Sequence, residues 1–84
     1  MSDDGRGYQE VAAFGRLMQR ELETNSGKGC WKGKLDFELA LGAMRDLGKL
    51  VDAMGRGDKE KVIEQCVDTA NMCMMIADVL GGLE

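Results

Sequence analysis

The sequence predicts an all-α fold, and three observations carry that expectation. Asp58 to Leu80 repeats apolar residues in alternating steps of three and four, at Ile63, Cys66, Ala70, Cys73, Ala77 and Leu80, the spacing of one helical face. Leu35 to about Gly55 does the same at Ala40, Met44, Leu47, Val51 and Met54. Between the two, Gly55-Arg56-Gly57 breaks the pattern and Asp58 stands where it can cap the next helix. A turn that short makes the pair antiparallel. The expected architecture is a helical hairpin with an extra N-terminal helix, one domain over 1–84.

The elements follow in order. Residues 1–7 read as a loose tail, with Gly5 and Gly7 keeping it mobile. Tyr8 to about Glu23 forms the first helix, since Val11, Phe14, Leu17, Met18 and Leu22 fall at helical spacing. Residues 24–34 hold three glycines and no periodicity, which makes a loop long enough to be functional, and Trp31 within it is the only tryptophan. In the second helix Phe37, Leu41 and Leu50 flank the apolar row. Gly42 and Gly48 each cost about 1 kcal/mol against alanine in a helix interior, so each calls for a closely packed neighbour. The third helix carries a further row, Val62, Val67, Met74, Met75, Ile76 and Val79, before Gly81 and Gly82 end it. A helix apolar over so much of its surface needs cover on more than one side. With little other chain to supply it, part of that cover is expected from a second subunit, so a homodimer is predicted. Gln65, Asp68 and Asn71 sit inside this apolar frame at steps of three, and their burial asks for a reason.

Composition narrows the function classes. At 84 residues, 44% hydrophobic and 31% charged, the chain suits one small globular domain near the lower limit for a self-sufficient core. No apolar run approaches the ~20 residues of a membrane span, so no membrane partner is expected. The acidic N-terminus does not read as a signal peptide, which points to a cytoplasm, a host's if the chain is viral. Net charge is −4 with the eleven basic residues scattered, which argues against a direct nucleic-acid groove. A phosphate ligand then needs a metal ion or a local basic pocket. Cys66 and Cys73, two turns apart on one helix, cannot bond each other and read as buried core thiols. Without histidine or a Cys-x-x-Cys motif, a structural zinc site and Ser-His or Cys-His hydrolysis are both disfavoured. No cofactor is expected on these grounds, and Mg²⁺ only if the chain is an enzyme.

Two places hold candidate chemistry. Glu64 and Asp68, four apart, share a helix face, and Asp46 on the second helix lies between Arg45 and Lys49. These carboxylates read either as metal ligands or as an ordinary solvated edge. In the loop, Lys28, Gly29 and Trp31 combine a cation, a pliable backbone and a flat ring, which suits a nucleotide with its base on Trp31. Trp31 reads equally as a lid on the end of a small core.

The loop Lys28-Gly29-x-Trp31, followed after the second helix by Cys66-x-Asp68-x-Ala70-Asn71-x-x-Met74-Met75-Ile76-Ala77-Asp78, resembles small MazG-type nucleotide pyrophosphohydrolases of the short kind found in phages. The likeness spans about residues 10–80. It implies an all-α fold whose paired helices dimerise into a four-helix core, and cleavage of nucleoside triphosphates to monophosphate and pyrophosphate. In such enzymes Mg²⁺ lies between Glu-Glu-x-x-Glu on one helix and Glu-x-x-Asp on the next. Here the corresponding positions read Arg45-Asp46-x-x-Lys49 and Gln65-x-x-Asp68. A cation in place of a carboxylate removes a donor and costs about 4 kcal/mol at ~4 Å and an effective dielectric of about 20.

The leading expectation is therefore a catalytically degenerate MazG-like protein that acts by binding. One such use is phage inhibition of a CRISPR-type host defence complex, with acidic faces docking on a basic protein groove. An active Mg²⁺-dependent pyrophosphohydrolase using Asp46, Glu64 and Asp68 is the first alternative. A nucleotide binder that does not hydrolyse, using Lys28, Trp31, Arg45, Lys49 and Asn71, is the second. Arg45 and Lys49 would either neutralise phosphates or pair with Asp68 as a salt-bridged plug, the plug being the simpler expectation.

Overall fold

The structure, a computed structural model, describes residues 7–25 and 30–83. Helix α1 spans Gln9–Thr24, α2 spans Asp36–Arg56 and α3 spans Lys59–Val79, with a single 3-10 turn at Trp31–Gly33 in the connection before α2. No strand occurs among the described residues. Helix α1 runs to Thr24, one residue into the expected loop, and the Thr24 hydroxyl donates back to the Arg20 carbonyl at 2.9 Å. The tail over 1–6 and the loop positions 26–29, Lys28 among them, lie outside the described residues.

The hairpin is built by its turn. Gly57, at φ +70°, takes the left-handed conformation that ends α2 without steric cost. Its N–H donates to the Met54 carbonyl and that of Asp58 to the Ala53 carbonyl, each at 3.1 Å, which satisfies two orphaned carbonyls of the last turn. Asp58 then starts α3 at once, its side chain accepting from the Lys61 N–H at 3.2 Å. At the start of α2, the Glu38 carboxylate accepts from the Leu35 N–H at 3.0 Å. Gly81, at φ +81°, closes α3 in the manner of Gly57.

Helix α3 is the centre of the chain. It packs along α2 over their length, and α1 rests on α3 without touching α2 among the described residues. The buried apolar side chains are Leu39 and Ala53 of α2 and Val67 of α3. Gly42 brings the two helices together, because a Cβ there would lie 2.5 Å from Met72 Cε. Gly48 has no such neighbour, so the close approach expected at both glycines occurs only at the first within this chain.

The apolar row of α2 is not buried within the chain. Phe37, Leu41, Met44, Leu47, Val51 and Met54 form one stripe and all are exposed, Met44 at 68%. The faces of α3 are also reassigned. Ile63, Cys73 and Leu80 of the predicted stripe are exposed and Cys66 is half-buried, so Cys73 is not the core thiol expected of it. The residues of α3 that are buried are instead Gln65, Val67 and Asn71, which interleave polar and apolar character, with Val67 facing α1 beside Leu17 and Asn71 bonded to the Met18 carbonyl. Asp58→Ala is expected to lower stability by about 1 kcal/mol through loss of the cap, read as a lower urea midpoint with an unchanged slope.

Candidate functional site

Three helices enclose a cleft of about 840 Å³. Its floor is the face of α3 carrying Glu64, Gln65, Asp68 and Asn71. Arg45, Asp46, Lys49 and Asp52 of α2 form one wall, and Glu21 and Leu22 of α1 the other. The row Gly42, Asp46, Lys49 and Ala53 lies on the inward face of α2, with steps of four, three and four, so the same geometry that packs Gly42 and Ala53 on α3 aims the charges into the cleft.

A second recess of about 460 Å³ adjoins it. Trp31, Leu39, Leu41, Met72 and Met75 give it an apolar lining, and Arg45, Met72 and Met75 belong to both spaces. Trp31 is fixed there: its Nε1 donates to Asp78 Oδ2 at 2.9 Å, and Lys32 Nζ reaches the same oxygen at 2.6 Å. The Lys32 and Trp31 hydrogen bonds hold the Asp78 carboxyl below the usual carboxylate range. Lys32 also lies 5.5 Å from the Trp31 ring centroid.

The cleft's electrostatics are mixed. Arg56 pairs with Asp52, and Lys61 with Glu64 at 3.2 Å. Arg45 and Lys49 have no carboxylate partner within ion-pair distance among the described residues, so the salt-bridged plug onto Asp68 does not form. Asp68 instead faces other acids. Burial first, then the charges of Glu21, Asp46 and Glu64, and a hydrogen bond with the Glu21 side chain, push its carboxyl up to about 6. Asn25 Nδ2 donates to Glu21 Oε2 at 2.8 Å and steadies that carboxylate on the rim.

The candidate residues therefore converge with one exception. Asp46, Glu64, Asp68, Arg45, Lys49 and Asn71 all line the charged cleft, and Trp31 lines the adjoining recess. Lys28 lies outside the described residues. Asp46, Glu64 and Asp68 share the cleft, yet among the described residues no three acidic or thiol side chains come together closely enough to hold one metal ion. Glu21 is the functional residue that sequence reasoning missed. It lies a whole helix and loop away from Asp68, and only the docking of α1 on α3 brings them together. Asp78 was likewise not singled out as the anchor of Trp31.

Comparisons with known proteins add no assignment: no family model, no curated protein and no solved structure matches this chain. No helix among the described residues is long and apolar enough to cross a membrane.

Asp68 generates a pH prediction. Folded Asp68 keeps its proton up to about 6, whereas an unfolded aspartate loses it near ~3.9. The folded state then binds more protons in that window, so this group withdraws stability as pH rises through it and adds no further change above. The stability of Asp68→Asn relative to the native chain should grow from about pH 4 to about pH 6 and then level off. Paired urea titrations measure it; a difference independent of pH contradicts the assignment.

Proposed function

We propose that this chain is a MazG-like protein that has kept the helical shell and given up metal-dependent hydrolysis, and that its cleft binds a nucleoside triphosphate without cleaving it. One observation carries the reading: Arg45 and Lys49 line the cleft with no carboxylate partner among the described residues, at the positions where the resemblance puts acidic metal ligands. Cations left unpaired beside an apolar recess suit a ligand with an anionic end and a flat apolar end. The phosphates lie against Arg45 and Lys49, and the base lies in the recess of Trp31, Met72 and Met75. Arg45, common to both spaces, sits where the two halves of such a ligand join. A nucleotide is favoured over docking on a basic protein groove because the acidic exterior names no particular partner, whereas this cleft matches a particular chemistry.

The exposed apolar stripe of α2 supports a homodimer in which a second copy covers Phe37, Leu41, Met44, Leu47, Val51 and Met54. A monomer would leave that face in water. Arg45, Asp46, Lys49 and Asp52 of the charged cleft are not in that stripe, while its Leu41 also lines the apolar recess. Val51→Glu should convert the dimer to monomer in sedimentation velocity while the helical circular dichroism persists. An unchanged sedimentation coefficient between the two chains speaks against the pairing.

The binding claim is tested by following Trp31 fluorescence and heat as nucleoside triphosphates are added, alongside a pyrophosphate assay with Mg²⁺ or Mn²⁺. Saturable binding with no pyrophosphate is expected. The Arg45→Ala and Lys49→Ala chains should each bind about tenfold more weakly, as befits a charge-assisted hydrogen bond. Enzyme-like pyrophosphate release that disappears in Asp68→Ala would establish the hydrolase alternative. Neither heat nor a fluorescence change with any triphosphate would remove the reading altogether.

A further inference from the structure

A residue that lines the cleft holds a buried acceptor without a partner among the described residues. Asn71 is 3% exposed, and its Nδ2 donates to the Met18 carbonyl of α1 at 3.1 Å. A carbonyl oxygen only accepts, so this bond fixes which end of the amide faces α1. The other end, Oδ1, is buried and meets no donor among the described residues. Gln65, 6% exposed, leaves its Oε1 in the same condition six residues earlier, about 9 Å along the helix at ~1.5 Å per residue. Folded proteins pair nearly all such groups, and an unpaired one in a residue lining a cleft marks a place for a donor from outside.

We propose that Asn71 Oδ1 accepts a hydrogen bond from a sugar hydroxyl, so that the cleft selects nucleoside phosphates over inorganic polyphosphate. The inference rests on the nucleotide reading above and adds to it what distinguishes the ligand. Position supports the sugar. On α3, Asn71 follows Asp68 at the charged end and precedes Met72 and Met75, where the charged cleft opens into the apolar recess. A ligand with phosphates at Arg45 and Lys49 and its base beside Trp31 carries its sugar across that junction. Chemistry supports it too. Ionised phosphate oxygens are acceptors and gain nothing from an amide oxygen, whereas a ribose hydroxyl is a donor at any working pH. The site thus asks for negative charge and a hydrogen-bond donor in one molecule, and inorganic triphosphate offers only the first.

The experiment uses the native chain, so no variant has to fold for it to decide. Calorimetry compares a ribonucleoside triphosphate, its dideoxy counterpart lacking both ribose hydroxyls, and inorganic triphosphate. The dideoxy ligand is expected to bind about tenfold more weakly than the ribonucleotide, the effect of one net hydrogen bond, and inorganic triphosphate, which lacks the base as well, more weakly still. Equal affinity of the native chain for the ribonucleotide and its dideoxy counterpart overturns the inference and leaves the nucleotide reading standing. An absence of binding by all three ligands overturns both.

Discussion

Everything in this fold depends on how closely α2 can approach α3. Gly42 lets Met72 lie where a side chain would stand, and Ala53, fully buried further along, keeps the two backbones near each other. Small residues on α2 therefore set the depth of the cleft: a larger side chain at Gly42 would push Met72 into the seam between the charged space and the apolar recess. The same economy leaves the chain with a thin core. Leu39, Ala53 and Val67 are few apolar side chains to offset the conformational entropy of ordering three helices. The apolar stripe of α2 stays exposed within the chain and adds nothing to that core.

The cleft combines features that an apolar core could not hold. Asp68 is partly buried and faces three other carboxylates, and it keeps its proton to higher pH, first because burial disfavours its charge and then because of those neighbours. Arg45 and Lys49 are close enough to line the same space but are not drawn into pairs with it. The carboxylates of the cleft are spread over three helices and mixed with cations. The arrangement suits recognition of a ligand that is itself mixed: anionic at one end, donor-bearing in the middle and apolar at the other end.

Much of the fold could be read from residues alone. The three-four spacing in the second and third helices, the Gly-Arg-Gly break and the Asp58 cap all lead to the hairpin that is present. The gathering of Asp46, Glu64, Asp68, Arg45, Lys49 and Asn71 in one cleft was also within reach, since all lie on two neighbouring helices. Periodicity could not say which apolar row would be inside. On α2 the more regular row faces water, and the helix is buried through Leu39 and through Gly42 and Ala53, two residues that fit by small size rather than hydrophobicity. Cys73 was misread for the same reason. The place of Glu21 was beyond sequence reading because it depends on where α1 lands, and one contact there is a buried amide of Asn71 bonded to the main-chain carbonyl of Met18. Hydrogen bonds of that kind leave no periodic trace.

A crystal structure of the protein with a non-hydrolysable nucleoside triphosphate and Mg²⁺ bears most directly on the central claim. The account predicts phosphate oxygens on the Arg45 guanidinium and the Lys49 ammonium, the base beside Trp31, and no ion bound by the α2 and α3 carboxylates together. Magnesium held jointly by Asp46, Glu64 and Asp68, with Arg45 and Lys49 turned out to solvent, would contradict it.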